Sequence, residues 1–218
     1  VDKYLFNPCD PGILNDESFR RMSENMVNLV LSRKLPEGGF ALNQIGWGDR
    51  LNEVEFYFLL STAERAKIIQ LVADYAREKF DLPEDFVSFF DGRSEYLDGF
   101  MTGSIDLVCR HGGKLFIVDW KSNRLEGKME NFAPEKLPLE MANNFYFLQY
   151  FIYIAALFKF CRQKNHAFSY EDFGGVYYIF LRGAALRERR DYGCFFDRPP
   201  LEKIMEFMDC LGENQNEI

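Results

Sequence analysis

GFMTGSIDLVCR (99–110), HGG (111–113) and KLFIVDWKSN (114–123) follow one another without a break. Two β-rich runs about a glycine pair predict a β-hairpin, because a two-residue turn between paired strands needs backbone angles that glycine adopts without strain. On its second strand Leu115, Ile117, Asp119 and Lys121 share one face, and Phe116, Val118 and Trp120 share the other, since side chains alternate. Asp119 and Lys121 therefore point the same way from the end of an apolar strand, where an ionised group is costly unless something pairs with it. Asp106 stands between Ile105 and Leu107 on the partner strand. The D-x-K spacing alone says little: Glu126-Gly127-Lys128 has the same form in a charged loop and reads as solvated surface.

Residues 17–34 read as an amphipathic helix with Phe19, Met22, Met26, Leu29 and Val30 on one stripe, stopped by Pro36 and Gly38-Gly39. Residues 52–60, NEVEFYFLL, read as a strand on which Glu53 and Glu55 alternate with Val54 and Phe56, so both carboxylates emerge on one face. A helix is predicted over 63–79, capped by Ser61 or Thr62, and DLPEDFVSFF (81–90) adds a helical turn or two. Residues 124–142, charged and carrying two prolines, read as a loop. A long helix over 143–163 follows, with Leu148, Ile152, Ala155, Ala156 and Phe160 buried and with Gln149 and Tyr153 as neighbours one turn apart. A strand at 175–181 and a helix at 200–211 end the chain. This order predicts an α/β sandwich with a mixed sheet between helices.

Composition bounds the function. The 218 residues suit one domain, and 23 Phe and 11 Tyr supply bulky core material. No apolar run reaches the length of a bilayer span. The charge of −8 argues against broad affinity for nucleic acid, although a local site can still hold phosphate through metal ions. Cys9, Cys109, Cys161, Cys194 and Cys210 are scattered, with no C-x-x-C spacing, and read as free thiols of a cytoplasmic protein rather than as ligands of zinc or an iron–sulfur cluster. A first residue that is Val rather than Met suggests a piece of a longer polypeptide.

Asp106, Asp119 and Lys121, with Glu55 or Glu53 offered from the earlier strand, form a set suited to Mg²⁺ or Mn²⁺ held against a phosphodiester. These hard cations take oxygen ligands, and a lysine beside them can position water or stabilise developing charge. Judged by chemistry alone, a buried salt-bridge cluster fits the same residues equally well.

The strings GSIDLVCRHGGKLFIVDWKSN, QYFIYIAAL and FGGVYYIFLRG, with NEVEFYFLL ahead of them, closely resemble the C-terminal nuclease domain of the RecB subunits of exonuclease V, in the PD-(D/E)XK nuclease superfamily. The resemblance implies a restriction-endonuclease-like α/β fold, a mixed sheet flanked by helices, over residues 1–218. It implies Asp106 and Asp119 as metal ligands, Lys121 as the catalytic lysine, and Glu55 as third carboxylate with Glu53 in reserve. Gln149 and Tyr153 match the family's Q-x-x-x-Y motif, implying a role in orienting the site or the DNA. Mg²⁺ or Mn²⁺ is the implied cofactor. DNA, the subunits of a helicase–nuclease complex and the rest of a parent chain are the implied partners, in the repair of double-strand breaks. The family also carries a metal-binding histidine on a helix upstream of the acidic strand. Neither His111 nor His166 is placed to supply it, so that helix is expected before Val1. The rival expectation is a nuclease fold kept as a scaffold or regulatory module. Arg182, Arg187, Arg189, Arg190 and Arg198 offer a basic rim or a solvated turn, and Trp120 and Tyr150 offer base stacking or packing.

Overall fold

A computed structural model describes residues 17–60, 62–83, 99–164, 168–186 and 191–212. In chain order the main elements are α1 (Glu17–Ser32), β1 (Arg50–Leu60), α2 (Thr62–Phe80), β2 (Gly99–His111) and β3 (Lys114–Lys121). Then come α3 (Leu137–Asn143), α4 (Tyr146–Gln163), β4 (Phe173–Phe180), the single turn α5 (Leu181–Ala184), β5 (Cys194–Asp197) and α6 (Leu201–Cys210). The five strands form one sheet in the order β1-β2-β3-β4-β5. All pairs are antiparallel except β3 with β4, which is parallel and is crossed over by α4. This is the α/β restriction-endonuclease-like architecture, a mixed sheet between helical layers.

The hairpin forms as its sequence requires. His111 pairs with Lys114, and Gly112 and Gly113 take φ of 57° and 81°, the left-handed angles of a tight two-residue turn. Alternation on β3 sends Ile117 into the core under α2, α4 and α6, and Phe116 and Val118 into a second core under α1 and the segment at 35–45. β4 is buried along all eight residues, as expected of a strand covered on both faces. α4 is apolar around most of its circumference, with twelve buried residues, which is why it lies inside the molecule rather than across its surface.

Several boundaries differ from the sequence reading. The expected loop at 124–142 contains two 3₁₀ turns and α3, whose Leu137, Met141 and Ala142 are buried and whose Pro138 sits in the first turn, where its missing N–H costs nothing. α4 begins at Tyr146 rather than 143, because Phe145 takes a left-handed φ of 59° and separates it from α3 at an 81° bend. The strand expected to end at 181 stops at Phe180, and Leu181 opens α5. β5, four residues long, has no counterpart in the sequence reading. Of DLPEDFVSFF, the part from 84 onward lies outside the described residues. Among the described residues no single helix is long and apolar enough to cross a membrane.

Candidate active site

The site lies where β2 and β3 part. Their ladder runs from His111–Lys114 to Leu107–Val118 and ends there. Beyond that point β3 stays paired with β4, Asp119 opposite Tyr178, while β2 goes on with β1. In the fork the Asp106 carboxylate stands in for the missing ladder partner: the Trp120 N–H donates to its Oδ2 at 2.9 Å. Ile105 packs in the core on the α4 side and Leu107 in the core on the other side, so strict alternation breaks at Asp106. Directly across on β1 the flanking pairs are Asn52–Leu107 and Val54–Ile105, and Glu53 between them has a left-handed φ of 52°. This local irregularity brings Asp106 close enough to Asp119 for their charges to interact.

Asp119 is 2% exposed. Burial pushes its carboxyl up to about 6; Lys121 pulls against that shift and the Asp106 charge adds to it. Lys121 Nζ lies 2.6 Å from Asp119 Oδ2, a close ion pair. The ammonium also donates to Gln149 Oε1 at 2.9 Å, which accepts from the Tyr178 hydroxyl at 3.0 Å as well. Gln149 Nε2 donates to the Tyr153 hydroxyl at 2.9 Å, and that hydroxyl hydrogen-bonds Asp119. Lys121 Nζ also sits 4.0 Å from the Tyr146 ring centroid and 5.0 Å from that of Tyr178.

The structure therefore brings together Asp106, Asp119, Lys121, Gln149 and Tyr153. It does not bring Glu55 or Glu53 to them. Phe56 packs its ring 5.6 Å from that of Tyr153, on the face that Asp119 occupies, so Glu55 beside it points to the other face. The Ser104 hydroxyl, cross-strand from Glu55, donates to Glu53 at 2.8 Å, so both glutamates share that far, exposed face. Among the described residues no group of three His, Cys, Asp or Glu side chains is gathered to hold an ion. Two residues at the site had no place in the sequence reading, Tyr146 and Tyr178. The available signal was modest: Tyr146 lies one turn before Gln149, and Tyr178 sits on the strand that the parallel crossover sets beside Asp119.

Other candidates resolve as packing. Arg182 donates to the Ser122 carbonyl, and Arg198 donates to the Phe173 and Tyr170 carbonyls at 2.8 and 2.9 Å. Arg187, Arg189, Arg190 and His166 lie outside the described residues. Tyr150 is fully buried, and Trp120 packs against the core on the face away from Asp119. His111 stacks on Phe40 with centroids 4.4 Å apart, at the hairpin turn.

Asp119, Lys121 and the half-buried Asp106 thus meet at a sheet fork of a restriction-endonuclease-like fold. No protein-family model matches the chain. Individual proteins do: it is 34% identical over 193 residues to the RecBCD enzyme subunit RecB of Haemophilus influenzae, covering 88% of this chain. It is 31% identical over 180 residues to that of Escherichia coli and 31% over 192 residues to that of Buchnera aphidicola from Acyrthosiphon pisum, covering 79% and 85% of this chain. The chain belongs to the RecB family, in the part that forms the C-terminal nuclease domain. It spans about 15% of the length of these relatives.

Proposed function

We propose that the chain is a divalent-cation-dependent deoxyribonuclease, the nuclease module of a RecB-like helicase–nuclease that processes double-strand-break ends in the cytoplasm for recombinational repair. The observation that carries this reading is the pairing of Asp119 with Lys121 beside Asp106. Asp119 Oδ2 is buried and paired with the Lys121 ammonium at 2.6 Å, an anionic oxygen beside the half-buried carboxylate of Asp106. A hard cation such as Mg²⁺, or Mn²⁺ in its place, fits that donor chemistry, with Asp106 and Asp119 as its ligands. When bound it supplies Lewis-acid stabilisation of the charge that builds on the phosphate.

The chain's own residues do the rest. Asp106, fixed by the Trp120 N–H, and Asp119, held by Tyr153, present two carboxylates in one geometry. Lys121, at the end of β3, offers an ammonium to water or to a phosphate oxygen as charge develops there, in a site too dry to screen it. Gln149 ties that ammonium to α4, so the Q-x-x-x-Y pair links the lysine to the aspartate. Glu55 as third carboxylate, with Glu53 in reserve, is a separate proposal. Comparing Mn²⁺ affinity in Glu55→Gln and Glu53→Gln tests it, since loss of a direct ligand weakens binding far more than neutralising a carboxylate that acts only through its field.

The relatives' name makes them subunits of a larger enzyme, which supports DNA and further subunits, together with the remainder of a longer chain, as partners here. A scaffold or regulatory module is the second reading, and one observation favours it: two carboxylates rather than three stand on the face of Lys121 among the described residues. Labelled single-stranded DNA incubated with Mg²⁺ separates the two. The nuclease reading expects degradation that Asp119→Ala abolishes, whereas the scaffold reading expects none from the folded protein.

A further inference from the structure

We propose that Tyr178 and Tyr146 are positioning residues for Lys121, holding its ammonium at one point beside Asp119. The inference rests on the nuclease reading for its catalytic consequence and on geometry alone for the positioning itself. A lysine side chain has more rotamer freedom than almost any other, so a lysine that must act at one point needs its far end restrained. Here the restraint comes from three sides. The Tyr146 ring lies 4.0 Å from Nζ, the Tyr178 ring lies 5.0 Å from it, and Gln149 Oε1 accepts from it at 2.9 Å. Aromatic faces attract an ammonium most strongly where water is excluded, and Lys121 is only 11% exposed.

Tyr178 has a second task. A carboxamide can turn over and exchange its oxygen for its nitrogen, which would set an NH₂ against the ammonium. Two donors at the oxygen end, Lys121 Nζ and the Tyr178 hydroxyl, and one acceptor at the nitrogen end, the Tyr153 hydroxyl, fix a single orientation. Tyr178 is fully buried and set opposite Asp119 by the β3–β4 register, so its hydroxyl has little freedom to leave. Tyr146 is anchored separately. Its hydroxyl donates to Asn123 Oδ1 at 3.1 Å, and Asn123 donates in turn to Glu140 on α3 at 2.8 Å. The loop directly after Lys121 is thus tied to the ring that faces its ammonium.

Two readouts test this. The first is the side-chain ammonium signal of Lys121 in heteronuclear NMR without metal, assigned by its disappearance in Lys121→Arg. Slow proton exchange makes it visible in the wild type, and it should be lost in Tyr178→Phe and in Tyr146→Leu while thermal unfolding stays cooperative. The second is cleavage of single-stranded DNA with Mg²⁺. There Tyr178→Phe should lower kcat about tenfold with KM unchanged, the pattern of a misplaced group rather than of lost binding. Tyr146→Leu, at a half-buried position, serves as a second variant should Tyr178→Phe fold poorly. A Lys121 signal that persists in both variants overturns the proposal, as does an unchanged kcat in both. If the signal depends on the tyrosines but the folded wild type cuts no DNA, positioning stands and the nuclease reading falls.

Discussion

Asp119 and Lys121 depend on each other because both are nearly shielded from water. Removing one partner of such a pair leaves an uncompensated charge, which costs about 3 kcal/mol or more. Lys121→Met should therefore lower the unfolding free energy by about that amount in the presence of a chelator, measured by urea denaturation. Mg²⁺ or Mn²⁺ should restore part of the loss, because a cation held by Asp106 and Asp119 would replace the missing positive charge. Much of this was legible in the sequence: period-two alternation on an apolar strand put Asp119 and Lys121 on one face, and DWKSN marked them. The path of Asp106 was not legible. It depends on a break in alternation and on the left-handed Glu53 across from it, and a glutamate in that conformation has no signature among its neighbours. For the same reason the sequence offered Glu53 and Glu55 correctly as face-sharing neighbours without revealing that their face lies opposite that of Asp119.

Elements are held in register by buried polar anchors and by backbone close approaches. Asp197, at the end of β5, accepts from the Tyr75 hydroxyl on α2 at 2.9 Å, from the Tyr150 hydroxyl on α4 at 2.6 Å, and from Lys79. It is 2% exposed, so Asp197→Ala should strand two buried hydroxyls and cost about 3 kcal/mol, read as a drop in the thermal midpoint. Gly193 is a second joint. It has φ of 69°, its N–H donates to the Phe132 carbonyl, and its carbonyl accepts from Phe180. A methyl group there would meet the backbone of Phe180, Gly183 and Ala184, which cannot yield as a side chain can. Gly193→Ala should cost at least about 2 kcal/mol, with loss of soluble expression at 37 °C as a second measure. Long elements, the amphipathic α1 and the largely apolar α4 among them, were readable from sequence. The short β5 was not, because four residues carry too little pattern, and α3 was hidden by charge and proline, although proline is at home in a first helical turn.

Across the molecule, burial separates the thiols of the described residues by reactivity; Cys9 lies outside them. Burial pushes Cys109 and Cys194 up to about 12 and Cys161 to about 11, whereas Cys210 is partly exposed. A raised pKa leaves almost no thiolate at pH 8, and the thiolate is the nucleophile, so these three should resist iodoacetamide in the native protein while Cys210 reacts. Raising the pH from 7 to 9 should leave the three protected, as peptide mass spectrometry would show. The charge of −8 adds an expectation for DNA: the free domain should bind it weakly, with affinity falling as salt rises. Tight, salt-insensitive binding would mean that the acidic surface is not what the DNA meets.

We infer that Asp106, Asp119 and Lys121 form a cation-dependent phosphodiesterase site. Its most direct test combines Mn²⁺ titration calorimetry with degradation of labelled single-stranded DNA in Mg²⁺, on this chain and on its folded Asp119→Ala variant. The chain should bind the cation and degrade the DNA, and the variant should do neither. Cleavage that survives Asp119→Ala, or a folded wild-type chain that neither binds Mn²⁺ nor cuts DNA, would contradict it.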